Sequence, residues 1–159
     1  MFPEQPCEVT YDLISDPDYG IPDTAMTASG EHEEFVTGYG GRIDSYGDWL
    51  EDGRDGRWIS ADLGENRIVM AIRIRGHVYY GRHDYITQFT ISTSLNGADW
   101  SDVVDESEST IVCQDNTDGI TIVTNPMPTP IVARHVKLTV LGHVNYATMS
   151  WAIDGCPVS

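Results

Sequence analysis

Residues 76–85 read GHVYYGRHDY and put His77, Tyr79, Tyr80, Arg82, His83 and Asp84 within ten positions. Imidazole nitrogens beside a carboxylate are zinc donors in principle, yet His77, His83 and Asp84 lack the patterned spacing of a zinc site. Hydrogen bonding within a loop is the better reading for both histidines. The same residue types have a second use. A hexose site sets aromatic rings against the sugar's C–H face and fixes its hydroxyls with a few carboxylates, amides, guanidinium or imidazole groups. Tyr39, Trp49, Tyr79 and Tyr80 suit the first task, and Asp44, Asp48, Asp52, Arg54, His77, Arg82 and His83 the second. Each has a plainer alternative: Asp44 and Asp48 can cap turns through their own backbone, and Trp49 can be core. Neighbouring residues on an extended path point opposite ways, so one of Tyr79 and Tyr80 is expected to be structural.

Other chemistry is poorly supported. Calcium takes six to eight oxygen ligands; carboxylates near Asp52 and Asp55, or near Asp115 and Asp118, are candidates, but neither group has EF-hand spacing. The expectation is that no cofactor is required. There is no Gly-x-Ser-x-Gly, phosphate loop or His-Glu-x-x-His, and Gly38-Tyr39-Gly40-Gly41 precedes no helix. Enzymatic activity is therefore not expected.

The elements that position these residues are strands. RWISADLG (57–64), RIVMAIRIR (67–75), YITQFTISTS (85–94), GITIVTN (119–125), RHVKLTVL (134–141) and ATMSWAIDG (147–155) are rich in β-branched and aromatic residues. In 134–141, Val136, Leu138 and Val140 face one way and His135, Lys137 and Thr139 the other. Asn96-Gly97 signals a hairpin, and NPMPTP (125–130) resists both helix and central strand. No long helical period, repeat or linker interrupts the pattern. The expected fold is a single antiparallel β-sandwich or jelly roll occupying the whole chain, 1–159, with its core at about 7–156.

The 159 residues carry a formal charge of −16, with one lysine, Lys137, beside eight arginines. Such a field repels nucleic-acid phosphates, which excludes that partner, and disfavours an anionic membrane surface. The opening MFPEQPCEVT has no basic stretch followed by an apolar run, so a mature domain whose leader has been removed is expected. Cysteines stand at 7, 113 and 156. Their placement favours a bridge between Cys7 and Cys156, and with it an oxidising compartment; three buried reduced thiols is the alternative. Cys113, after Ile111 and Val112, reads as a small core hydrophobe.

Taken in order, several stretches resemble the discoidin domain, the C-type module of coagulation factors V and VIII. They are GIPDTAMTASGEH (20–32), GRIDSYGDW (41–49), RWISADLGENRIV (57–69), ITQFTISTSLNGADW (86–100), DNTDGITIVTN (115–125), TPIVARHVKLTV (129–140) and the closing DGC (154–156). The resemblance implies a distorted eight-stranded jelly-roll barrel clasped by Cys7–Cys156 and a secreted, non-catalytic binding module. It implies that 29–41, 48–57 and 76–85 gather at one end, with GHVNY (142–146) nearby. It further implies a lectin-like site for a cell-surface or matrix glycan of the galactose or GalNAc type. The alternative is a cell-adhesion module binding a protein or a basic peptide through Glu51, Asp52 and Asp55. Weak single sites would call for homo-oligomers or tandem modules. There are two departures: Met149-Ser150-Trp151-Ala152 replaces the family's Leu-Arg-x-Glu, and Gly76-His77 replaces Gly-Arg.

Overall fold

The computed structural model describes residues 6–29, 41–43, 49–50, 56–114 and 117–158, with backbone alone at 49, 50 and 114. Its strands are β1 (Tyr11–Asp12), β2 (Met26–Ala28), β3 (Trp49–Leu50), β4 (Trp58–Arg75), β5 (His77–Tyr79), β6 (Arg82–Ser94), β7 (Ser101–Asp102), β8 (Cys113–Gln114), β9 (Val123–Val144) and β10 (Thr148–Pro157). Every pairing between these strands is antiparallel. The order is β1-β10-β4-β9-β6-β5, with β2 and β3 attached to β4 and β10, and β7 and β8 to β6. Among the described residues the helical content is one short 3-10 turn, Asp23–Ala25. The expected all-β antiparallel fold is what forms.

Two long strands make the curl. Trp58–Asp62 of β4 pairs with His135–Thr139 of β9, and Arg67–Ile74 pairs with Val123–Ala133. Between these halves Leu63–Asn66 bulge opposite Arg134 alone, with Gly64 at φ +87. Bulges bend a strand and add twist, so both strands fold over here. The fold-over brings the two ends of β9 to the same place: Val123 lies beside Ile74, and Val144 beside Tyr85. The β5–β6 hairpin sits between them.

The alternation read in 134–141 holds, since Val136, Leu138 and Val140 are fully buried. They join Ile59, Ala61, Val69, Ile72, Phe89, Ile91, Trp151 and Ile153 in the core. On the outer face the Lys137 ammonium lies 4.9 Å from the Trp58 ring and 4.0 Å from that of Trp100. Where the family's charged pair is missing from 149–152, Trp151 is fully buried, and Arg73 of β4 instead forks onto Asp154 of β10 at 2.8 and 2.9 Å.

Three local expectations are revised. NPMPTP lies within β9, not outside a strand. The proline stretch is tolerated because residues 123–133 pair only with β4 and form a one-sided edge, and residues 127–130 bulge opposite Met70. Residues 119–122 form a loop, and β9 begins only at Val123. Asn96-Gly97 is not a two-residue hairpin turn: β6 and β7 separate after Thr93↔Ser101, and only Gly97 has positive φ. The Asn96 side chain accepts instead from the backbone of Ala98 and Asp99, both at 2.8 Å, and widens the turn.

The bridge expected between Cys7 and Cys156 is present, with Cα atoms 5.8 Å apart across 149 residues of sequence. Pairing of Cys156 with Ile68 and Pro157 with Arg67 puts this clasp beside the β4 fold-over, at the end opposite the hairpin. Cys113 is buried, as expected.

Candidate functional site

The site is built on the β5–β6 hairpin. Tyr79 pairs with Arg82, leaving Tyr80 and Gly81 as a two-residue turn with φ of 48° and 81°. Two positive φ values define a type I′ turn, whose first position normally takes Asn, Asp or Gly. A tyrosine there is strained, and this one is 93% exposed. Tyr79 is 53% exposed and meets Tyr80 edge-on, with ring centroids 4.6 Å apart. The expectation that one of these tyrosines is structural is not met: both rings are presented to solvent.

Arg82 follows the turn. Its Nε and Nη2 donate to the two carboxylate oxygens of Asp84, at 2.8 and 3.0 Å. The Asp84 side chain is 2% exposed, while that of Arg82 is 44% exposed. A buried carboxylate thus holds a half-exposed guanidinium in one orientation. This hydrogen-bonded contact is also what raises the Arg82 pKa further above its ordinary value. The two ring faces beside it belong to Tyr146, 4.6 Å away, and Tyr79, 5.6 Å away. The result is a cation between exposed aromatic rings, with N–H donors left over after Asp84 is satisfied.

Two further segments complete this end. In the turn between β9 and β10, Asn145 has φ of 60° and donates through Nδ2 to the His83 carbonyl at 2.7 Å. On the other side, the Gly119 amide donates to His83 Nδ1 at 3.0 Å. A Cβ on Gly119 would lie 2.3 Å from the His77 carbonyl oxygen, so only glycine allows this approach. Asp118 holds its own loop: one oxygen accepts from the amides of Ile120 and Thr121, the other from the Thr121 hydroxyl. These bonds, the Thr121 amide first, hold its carboxyl below the ordinary Asp value.

Residues 25–153 match the family described as the F5/8 type C domain.

The chain belongs to the F5/8 type C domain family.

Domains of this family are non-catalytic binding modules. The chain is 28% identical over 146 residues to mouse lactadherin, covering 86% of this chain and 31% of that protein. It therefore spans about a third of that relative's length. Discoidin II of Dictyostelium discoideum superposes with a TM-score of 0.69 at 17% identity, covering 84% of this chain and 55% of that one. The family 32 CBM of Clostridium perfringens NanJ, solved in complex with galactose, superposes with a TM-score of 0.57 at 24% identity, covering 84% and 96%. These structures share the fold.

Of the residues expected at an F5/8 type C ligand site, Tyr79, Tyr80, Arg82 and His83 come together on the hairpin. His77 is on β5 but away from the tip, half-buried, with its backbone paired to Asp84. Trp49 lies on β3 beside Met149, near the same end, and its side chain is not described. Tyr39, Asp44, Asp48, Asp52 and Arg54 lie outside the described residues, as do Glu51, Asp55 and Asp115. Among the described residues no three His, Cys, Asp or Glu side chains are grouped to hold a metal. His83 Nδ1 is engaged by Gly119 and Asp84 by Arg82. The oxygens of Asp118 accept from its own loop, and its candidate calcium partner Asp115 lies outside the described residues.

The resemblance placed 142–146 near this end, but the sequence reading singled out neither Tyr146 nor Asn145 as a partner of Arg82 or His83, nor Asp84 as the group that orients Arg82. Only Arg82-His83-Asp84 had a local signal: residues two apart on a strand share a face, so Arg82 and Asp84 should meet.

Proposed function

We propose that this F5/8 type C domain is an extracellular lectin-like module that takes a neutral glycan of the galactose or GalNAc type at its hairpin end. The observation that supports it is Arg82, oriented by buried Asp84 and bracketed by Tyr79 and Tyr146. Sugar recognition needs that combination of flat apolar faces and directional donors. Asp84 compensates the charge of Arg82, so the guanidinium offers hydrogen bonds more than net attraction. A chain of −16 also repels acidic sugars. The solved relative bound to galactose lends this reading weight. Tyr39, Asp44, Asp48, Trp49, Asp52, Arg54 and His77 are proposed to extend the same surface. Secretion is proposed from the Cys7–Cys156 bridge, which persists in oxidising compartments.

The test is a glycan array with and without calcium. Binding to terminal galactose or GalNAc, independent of calcium and lost in Arg82→Ala, supports the reading. Binding unchanged by Arg82→Ala would refute the site. A second reading, a protein partner, is favoured by the exposure of Tyr80 at 93% and of Ile120 at 66%. Exposed tyrosine beside arginine is the composition of interface hot spots. A silent array together with capture of basic peptides, lost in Tyr80→Ala, would select it.

A further inference from the structure

His83 joins three segments that are far apart in sequence. Its carbonyl accepts from Asn145, 62 residues on, and its Nδ1 accepts from the Gly119 amide, 36 residues on. Arg82, its neighbour, points to the opposite face of β6. One residue therefore faces Tyr79 and Tyr146, while the next faces the loop 117–121.

The direction of the Gly119 bond fixes the protonation state. A backbone N–H can only donate, so Nδ1 must carry a lone pair, and the imidazole is neutral with its proton on Nε2. Histidine titrates nearer to neutrality than any other unperturbed side chain. A proton added at Nδ1 removes the acceptor and sets an N–H against the N–H of Gly119. The charged and titratable groups around His83 on the described elements are few. Asp118 lies on the loop itself, and Arg82 and Asp84 flank His83 on β6 but are bonded to each other. His77 lies on the paired strand β5, and Tyr146 follows the Asn145 contact. The Asp118 oxygens are already engaged by the Ile120 and Thr121 amides and the Thr121 hydroxyl, so they do not replace the lost Gly119 bond.

We propose that His83 is the positioning residue of the hairpin end: neutral, it clamps loop 117–121 against the hairpin, and protonation at Nδ1 releases that loop. The loop backs the face of β6 opposite Arg82, so release frees the strand that holds Arg82 in place. Ligand affinity then falls on acidification. The clamp is read without any ligand; only its effect on glycan affinity rests on the function proposed above.

The experiment follows the Gly119 amide by NMR in the 15N-labelled chain from pH 8 to pH 5. The Gly119 amide shift should move in a single transition that coincides with titration of the His83 ring. Its exchange protection, taken relative to the intrinsic rate at each pH, should fall about tenfold or more on the acid side. His83→Asn places a carbonyl oxygen near the Nδ1 position, so protection should persist there and lose its pH dependence, whereas His83→Phe should lose it at every pH. A Gly119 amide indifferent to His83 titration in the wild-type chain, or equally protected in His83→Phe, overturns the clamp. A second arm measures retention on galactose-displaying resin at pH 7.5 and 5.5. Weaker retention at pH 5.5 in the wild type, with no pH dependence in His83→Asn, supports the proposal. Retention equal at both pH values in the wild type overturns the link to affinity. If nothing is retained at either pH while Gly119 behaves as expected, the glycan reading fails and the clamp stands.

Discussion

At the clasp end Arg134 of β9 forks onto Asp62 of β4, at 2.9 and 3.2 Å, and ties together positions 72 residues apart. At the hairpin end Arg82 forks onto Asp84 with nearly the same geometry, yet the partners are two residues apart on one strand. The chemical unit is the same and its consequence is opposite. A long-range pair restrains the fold where β4 and β9 turn over. A pair within one strand closes no loop and holds no elements together. What it does is orient a guanidinium, and it does so from a carboxylate that is almost fully buried. The far end spends its polar contacts and its disulfide on holding the curl. The hairpin end uses them to present side chains, including a tyrosine in a backbone region that tyrosine seldom occupies.

That contrast can be broken in several places. The largest effect should come from Cys7→Ser with Cys156→Ser. A bridge closing a loop of 149 residues stabilises by on the order of 4–5 kcal/mol in the chain-entropy account. Chemical denaturation should show a loss of that size, while the hairpin-end chemical shifts of the folded fraction stay unchanged; shifts that move with the bridge would mean the ends are coupled. Next, Arg82→Ala should weaken retention on galactose resin at least tenfold. Arg134→Ala should leave retention unaltered and lower only the melting temperature. Equal losses of retention from both would erase the distinction between the ends.

Tyr80→Asn sharpens the comparison in the other direction. Relieving a non-glycine residue at φ 48° should stabilise the chain by roughly 1 kcal/mol, and removing the exposed ring should weaken ligand binding. A variant that is less stable, or that binds equally well, would show that Tyr80 is not held in strain for display. The smallest effect is in pH. The Arg134 hydrogen bond holds the Asp62 carboxyl below its ordinary value of 3.8. A depressed carboxyl contributes stability above its unfolded value and loses it as the pH falls through the folded one. Asp12 runs the other way: burial raises its carboxyl, so its ionisation opposes folding as the pH rises above 3.8. Thermal melts between pH 5 and 2.5 should therefore show a shallower acid loss in Arg134→Met than in the wild type, since that variant has already lost the Arg134 pair and keeps only the Gly64 amide on Asp62.

Much of this architecture was legible in local pattern. Alternation in 134–141 marked its inward and outward faces because a strand's side chains have a period of two. The terminal cysteines marked the clasp. Turn chemistry was less readable. Asn96-Gly97 has the composition of a tight hairpin, but Asn96 spends its side chain on Ala98 and Asp99 and holds a wider turn open. NPMPTP reads as a strand breaker, and it fails to break β9 because that half of the strand has one neighbour and bulges at 127–130.

The hairpin motif itself, its turn and the Arg82–Asp84 pair follow from residues within ten positions of one another. So do the strands, whose inward faces are set by hydrophobic burial along each segment. The walls around Arg82 and His83 do not. Tyr146, Asn145 and Gly119 arrive there because β4 and β9 fold over at the far end and return both ends of β9 to the hairpin. That return depends on pairing between residues 41 to 81 positions apart, and no local period encodes it. Whether Arg82 is a surface charge or the centre of an aromatic pocket is therefore decided at the opposite end of the molecule.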